Sequence, residues 1–342
     1  MFNHRVITAS PPNVGVKPEG LTGESLSQQE MYVRCNFQVP AAVPDRFELI
    51  VPGRKSRQVG VDELGSHDGV DRHMVLECAG NGRALMDPRP EGTEWEIDGA
   101  SPITVSGVRL SDVLGPLPDE VVELVFTGAD AGTTPQGRRI PYQFSISREL
   151  AESPVPMLVT HIGGEPLDEI HGGPIRLVVP GHYAMKSVKW LVRVEGVTEP
   201  FHGYFVEKYR YYDDSTEPMG APVAGLEVRS VVAKPVDGET VPADGLEIGG
   251  SAWAGSSEIS SVEVSLDEGE SWHAADLSRR EGGGRWAPVR WSFRVRPEPG
   301  RVEIMARATD ANGNTQPLEP RWNTNGYANN VVHRVSVEVA EA

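Results

Sequence analysis

The rhythm of hydrophobic and polar positions changes near residue 225, and that change divides the chain. Before it, residues 44 to 76 and 95 to 126 carry short apolar runs, Phe47-Glu-Leu-Ile-Val51, Arg72-His-Met-Val-Leu76 and Val121-Val-Glu-Leu-Val-Phe126, separated by Gly, Pro and Asp. Such runs predict strands of a mixed sheet system. After it, regular alternation sets in over Leu226-Glu-Val-Arg-Ser-Val, Leu246 to Trp253, Ile259 to Leu266, Trp291 to Val295, Val302 to Ala308 and Val331 to Val339. Period two, with turns at Asp267-Glu-Gly-Glu270 and Asp310-Ala-Asn-Gly313, predicts an antiparallel sandwich with one face of each sheet in water. The domains predicted are therefore 1–225 and 226–342. Ser111-Asp-Val-Leu114 and Ser147-Arg-Glu-Leu150 each read as a short helix capped by its serine. The segment to about Pro40 shows neither a helical nor a strand period.

Composition leaves room for two cores: 342 residues, 39% hydrophobic and 24% charged, are ordinary values for a soluble globular chain. A formal net charge of −17 argues against a nucleic-acid footprint or an anionic membrane surface. An anionic substrate would need a local basic pocket. The stretch Met1-Phe-Asn-His-Arg-Val-Ile has no secretory apolar region and no run approaches a membrane span, so a cytoplasmic location is expected, or a periplasmic one if a leader has been removed. With only Cys35 and Cys78, the chain has no disulfide framework, no four-cysteine zinc site and no Cys-x-x-Cys-His attachment for haem.

Candidate chemistry gathers in Met74-Val-Leu-Glu-Cys-Ala-Gly-Asn-Gly-Arg83, an apolar run that stops at a cysteine and enters a glycine-rich turn. Met74 to Leu76 predict the end of a buried strand, and Gly80, Asn81 and Gly82 permit positive φ, which brings backbone close to a bound group. A thiolate at Cys78 serves there as nucleophile or metal ligand; a buried free cysteine equally serves as packing. A second stretch, Ile170 to Trp190, offers His171, Arg176, Ser187 and Lys189 from loops and a β run. An anionic cofactor needs such donors, because arginine's rigid fork suits phosphate and polar rings while lysine adds a point charge. Taken singly, Arg34 reads as a surface residue, Asp130 as a turn residue, Trp95 as a packing tryptophan and His161 as structural. The aromatic run from Tyr204 to Tyr212 reads as core or interface.

Leu76-Glu-Cys-Ala-Gly-Asn-Gly-Arg83 resembles the Cys-Ala-Gly-Asn signature of the sulfite oxidase family of molybdenum enzymes. Tyr32-Val-Arg34, Asp168 to Gly181, Ser187-Val-Lys189-Trp190 and Trp322-Asn-Thr-Asn-Gly-Tyr327 agree with that family in order. The resemblance implies an α+β fold class: a mixed-sheet molybdopterin-binding domain followed by an all-β, immunoglobulin-like sandwich that joins a homodimer. It implies Cys78 as the sulfur ligand of molybdenum, with Tyr32, Arg34, Cys35, Asn36, Asp130, His171, Arg176, Ser187 and Lys189 around the molybdopterin. Arg34, Arg83, Tyr209 and Trp95 would surround a small anionic substrate. The implied reaction oxidises sulfite to sulfate by oxygen-atom transfer, without haem, and passes electrons to oxygen or to a separate acceptor protein.

Of three departures, Cys35-Asn36 bears on the fine shape of the pocket, while Asn325 and Gly82 lower the charge expected around a dianion. Cys35-Asn36 stands where the animal enzymes have Asn-His, Asn325 where the sulfite-oxidising enzymes have the arginine of a Trp-Asn-x-Arg-Gly loop, and Gly82 where they place another arginine. The alternative is therefore the same cofactor acting on an organic sulfur compound, an S-oxide or an oxyanion. A non-enzymatic adhesion or scaffold protein, suggested by the sandwich alone, would have no use for the ordered Cys, His, Arg and Lys set.

Overall fold

The apolar runs of the first half form two five-stranded sheets in the computed structural model, which describes residues 5–211, 220–242 and 244–341. Tyr212, the end of the aromatic run, lies outside the described residues. In one sheet Val70–Glu77 pairs with Ala100–Arg109 and that strand with Met157–Ile162, all antiparallel; Met157–Ile162 also carries the short strands Glu165–Pro166 and Arg176–Val178. The other runs Arg57–Gly60, Arg46–Ile50, Leu191–Val197, Glu123–Thr133, Arg139–Ser147. It is mixed, because Leu191–Val197 lies parallel to Arg46–Ile50 while the remaining pairs are antiparallel. Phe47, Val75, Phe126, Leu158 and Val194, from both sheets, share one core.

The N-terminal segment departs from its irregular reading. Arg5–Ala9, Pro12–Gly15 and Val33–Arg34 make a third, antiparallel sheet. Strands of two to five residues are too short to display a period, and this ladder places Asn13 opposite Arg34.

Helix is scarcer than an α+β fold suggests. Among the described residues the α-helices are Val61–Leu64, Leu110–Leu114, Arg148–Glu152 and Tyr204–Lys208, each four or five residues long, so the molecule is mostly sheet. Ser147 caps Arg148–Glu152 as expected, accepting from Leu150 N at 3.2 Å. Ser111 caps nothing. Leu110 N donates to Pro156 O at 2.9 Å, so a tertiary contact starts that helix two residues early, with Arg109 in the cap position.

The second half forms two facing sheets as expected, antiparallel except that Thr240–Val241 lies parallel to His333–Val339, and with Arg229–Lys234 and Leu246–Trp253 buried nearly throughout rather than alternating. Arg229–Lys234, Leu246–Trp253, Val289–Val295 and Asp276–Ser278 form one sheet; Thr240–Val241, His333–Val339, Gly300–Asp310, Ile259–Ser265 and His273–Ala274 form the other. They face each other across Val232, Ile248, Val262, Trp291, Ile304 and Val335. The first of these strands begins at Arg229 rather than Leu226, because Leu226 N bonds Gly181 O at 2.9 Å and its side chain joins the core of the first half. Trp253 and Tyr327 join that core too, so the halves meet through buried side chains. Among the described residues no helix is long and apolar enough to cross a membrane.

Candidate active site

Alternation along Val70–Glu77 decides what each side chain meets. Met74 and Leu76 point to one face, and Cys78 continues it among Tyr32, Met31 and Trp95; Val75 and Ala79 point to the other, as Glu77 does between them. Cys78 N donates to Gly99 O at 2.8 Å, and the residue is 7% exposed. Of the three turn residues expected at positive φ, only Gly82 adopts it, at +86°. Gly80 serves differently, since a Cβ there would lie 2.8 Å from the Arg83 guanidinium.

Cys78 opens on a cavity whose wall includes Tyr32, Arg34, Cys35, Asn36, Asp130, His171, Arg176, Ser187, Lys189 and Tyr209. Arg176 rises from Arg176–Val178, with Nη1 on His171 O at 2.8 Å and Nη2 on Ser187 O at 3.1 Å. Its Nε is buried with no hydrogen-bond partner among the described residues. Lys189 Nζ donates to Ile170 O at 2.8 Å and to Cys35 Sγ at 3.1 Å, over the ring of Trp190. Arg34 Nη1 donates to Asn13 Oδ1 at 3.0 Å and to Cys35 O, and Nη2 to Asn36 Oδ1 at 2.8 Å. Three cations and one carboxylate thus line a pocket of a strongly acidic chain.

Trp95 and Arg83 stand behind the wall. Trp95 is fully buried and meets Tyr32 edge to face at 5.9 Å. Arg83 sits in a seat formed by Gly80, Gly92 and Gly326, where any Cβ would come within 2.8 Å of its side chain. Its Nε donates to Asn325 O at 2.9 Å and its Nη1 to Thr93 O at 2.8 Å. The guanidinium lies 5.2 Å from the ring centroid of Tyr327, which in turn packs tilted, at 33°, against Tyr209 with centroids 5.1 Å apart.

Sequence reasoning missed Asn13, Tyr142 and Met185, and had Tyr327 only as part of the Trp322-Asn-Thr-Asn-Gly-Tyr327 segment, without a role of its own. Tyr142 and Met185 line the cavity, with Tyr142 Oη donating to Met185 O at 2.7 Å. Tyr142 lies in a strand whose alternation signals only a core position. Asn13, opposite Arg34, left no signal at all.

Burial sets the protonation states. It pushes the His171 imidazole down to about 3, with Lys189 and Arg176 adding to the effect, so the ring is neutral and its contact with Gln28 O at 2.8 Å makes Nε2 the donor. Burial pushes the Asp130 carboxyl up to about 6 against the pull of Lys189, and the Arg176 guanidinium down to about 10. His182 and His333 are likewise pushed by burial to about 4. Between those values and the ordinary histidine range the unfolded chain binds protons that the folded one refuses, so this stability is complete above pH 6.5 and drains as pH falls. Asp130 acts in the opposite sense, since its folded carboxyl takes a proton first. Burial also lowers His73 and raises the Asp168 and Glu227 carboxyls, and four histidines outweigh three carboxyls: the melting midpoint of the cofactor-free protein is expected to fall by about 5 °C or more between pH 6.5 and 4.5. Calorimetry checks this, and a flat profile would contradict it.

The donor set fits an anionic pterin. An acceptor in the cavity would satisfy the orphaned Arg176 Nε, a buried donor that otherwise carries a desolvation cost. Among the described residues no group of three or more His, Cys, Asp or Glu could hold a metal. A soft thiolate such as that of Cys78 is a ligand type that suits a dithiolene-bound metal.

Comparison with known proteins gives the same answer. Residues 36–205 match the family model for the oxidoreductase molybdopterin binding domain, and residues 221–340 that for the Mo-co oxidoreductase dimerisation domain. The chain is 31% identical over 362 residues to mitochondrial sulfite oxidase of Homo sapiens, a match covering 99% of this chain and 65% of the human protein. It thus spans about two thirds of that relative. It is 33% identical to sulfite oxidase of Gallus gallus, over 96% of this chain and 77% of the chicken protein, and 32% identical to nitrate reductase [NADH] 1 of Oryza sativa, over 90% and 37%. Its fold is similar to that of the sulfane dehydrogenase SoxCD from Paracoccus pantotrophus, with a TM-score of 0.83, 20% identity and coverage of 100% of this chain and 91% of that one. With its Cys78 cavity, its orphaned arginine donor and both domain matches, the chain belongs to the sulfite oxidase family of molybdopterin oxidoreductases.

Proposed function

We propose that the protein oxidises sulfite to sulfate, with Cys78 as the protein ligand of a molybdenum cofactor. The observation that carries this reading is the single cavity on which Cys78, Arg176, Lys189 and Arg34 meet. Arg176, Lys189, Ser187 and His171 would hold the pterin and its phosphate, Cys78 Sγ would bind molybdenum as thiolate, and the bound group supplies two-electron oxygen-atom transfer. Sulfite and water then give sulfate, two protons and two electrons, which leave to oxygen or to a separate acceptor protein.

The chain's own work is to bind and orient. Arg34 is already fixed on Asn13 and Asn36, so it meets an anion without reorganising. Burial raises the Tyr209 phenol above its ordinary range, which keeps its O–H a donor at neutral pH. Arg34→Met is expected to raise KM for sulfite about 10- to 150-fold, equivalent to about 1.5–3 kcal/mol for a charge-assisted hydrogen bond. Steady-state kinetics on metal-loaded protein test both claims, and sulfite turnover at background would remove the reading.

One observation favours a second reading. Arg83 is committed to two carbonyls behind Tyr327, and the Asn325 amide donates to Arg210 O at 2.7 Å, so neither brings charge to the cavity. A less charged sulfur compound or an oxyanion fits that environment, and the relatives' names span sulfite, nitrate and sulfane. A substrate panel separates the two readings.

We further propose a boundary between residues 225 and 226, an immunoglobulin-like second domain, and a homodimer joined through it. The match of residues 221–340 to the dimerisation model supports the dimer. Sedimentation at micromolar concentration is expected to give twice the chain mass; a monomer would contradict it.

A further inference from the structure

The turn that carries Cys78 is held from the second half of the chain. Ala328 N donates to Ala79 O at 2.9 Å, Asn329 Nδ2 to Gly82 O at 2.7 Å, and Arg229 Nη2 approaches Asn81 O at 3.4 Å. Glu77, immediately before the cysteine, is fully buried and points away from the cavity. Its Oε1 accepts from Arg229 Nε at 2.9 Å and from Asn81 Nδ2 at 3.0 Å, and its Oε2 from Trp253 Nε1 at 2.7 Å. Asn81 Oδ1 then accepts from Gly99 N at 2.9 Å, and Gly99 O accepts from Cys78 N at 2.8 Å. A continuous hydrogen-bonded chain therefore runs from Arg229 and Trp253 to the backbone of Cys78.

A carboxylate buried this completely is retained at a desolvation cost that good geometry must offset, and apolar residues often fill such a place as stably. What apolar residues cannot do is fix a direction. Three donors converging on two oxygens determine where Glu77 lies, and one residue of extended backbone then determines where Sγ of Cys78 lies on the opposite face.

We propose that Glu77 is a positioning residue, through which Arg229 and Trp253 of the dimerisation domain set the place of the Cys78 sulfur in the cavity. The second domain is then part of the site's scaffold as well as a dimer contact. The inference rests on the reading of Cys78 as the metal ligand, and its test separates the two.

The experiment uses the full chain with Glu77→Gln, which keeps one acceptor oxygen, and with Trp253→Phe, which keeps a packed ring and deletes a single donor. Ser251→Ala is the comparison. It removes another contact between the halves, Ser251 Oγ to Leu21 O at 2.6 Å, outside the turn. In cofactor-free protein, alkylation of Cys78 by iodoacetamide, read by peptide mass with Cys35 as internal standard, is expected to accelerate at least threefold in Glu77→Gln and Trp253→Phe and to stay unchanged in Ser251→Ala. In metal-loaded protein the first two variants should lose at least tenfold in kcat with KM within twofold, and shift the molybdenum–sulfur absorption signature. Unchanged alkylation and kcat in both, or equal changes in Ser251→Ala, would reduce the cluster to a structural role and overturn the proposal. Should Cys78→Ser keep the parent's sulfur count at molybdenum, the ligand reading fails, while the alkylation result still decides whether Glu77 positions Cys78.

Discussion

Cys78→Ser is expected to lower turnover by at least about 10³-fold, a loss of about 4 kcal/mol in transition-state stabilisation, with the melting midpoint moved by only a few degrees. The two effects part company because the residue does little for the core. Cys78 adds one small side chain to a cluster that already holds Met74, Leu76, Trp95 and Ile103. Its sulfur, however, opens on the cavity, and a serine hydroxyl neither ionises near neutral pH nor offers a soft donor to molybdenum. Pterin content should survive the exchange, since Arg176, Lys189, His171 and Ser187 are untouched. X-ray absorption should find one sulfur fewer at the metal. Turnover within tenfold of the parent would remove Cys78 from the chemistry.

What the sequence could and could not disclose follows from distance along the chain. The second half was legible where a strand has one wet and one dry face, as in Ile259–Ser265 with Val262 and Val264 inward and His333–Val339 with Val335 and Val337 inward; Arg229–Lys234 and Leu246–Trp253 are buried on both faces for most of their length. The strand into Cys78 was legible for another reason: the apolar run Met74 to Leu76 leads, past Glu77 and Cys78, into a glycine-rich turn. The short N-terminal sheet was not, because two-residue Val33–Arg34 cannot show a period and its register depends on Asn13, some twenty residues earlier. Order of motifs brought Arg34, Asp130, His171, Arg176, Ser187 and Lys189 to one cavity, yet it could not separate the wall from the layer behind it. Arg83 lies only five residues after Cys78, but three close glycine backbones and the Asn325 and Thr93 carbonyls draw its guanidinium behind Tyr327. No local pattern contains that information, because Gly326 and Tyr327 arrive from the far end of the chain.

Glu77 marks the opposite case. A charged residue inside Met74-Val-Leu-Glu-Cys is a local inconsistency, and a buried charge must be paired. Arg229 and Trp253 supply the partners from more than 150 residues away. The inconsistency could be seen in the sequence; the partners could not.

Arg176→Met is expected to strip the cofactor with little effect on the empty fold. Arginine at this place satisfies two buried carbonyls and presents a third donor, Nε, that has no partner among the described residues. Burial also pulls its pKa down to about 10, the sign of a charge held at a cost in the empty cavity. Methionine removes that cost but leaves the His171 and Ser187 carbonyls without a donor, and the two effects oppose each other at about 1–3 kcal/mol each. The melting midpoint of cofactor-free protein should therefore move by only a few degrees. Cofactor binding has no such compensation. Losing a charge-assisted hydrogen bond weakens it by about 1.5–3 kcal/mol, or roughly 10- to 150-fold, so protein purified from a cofactor-competent host should carry far less molybdenum and pterin than its parent. Arg176→Lys sharpens the test, because a point charge cannot hold both carbonyls and still keep a third donor at the cavity wall. If lysine restored full cofactor content, charge alone would be holding the pterin there; if methionine did, Arg176 would have no part in holding it.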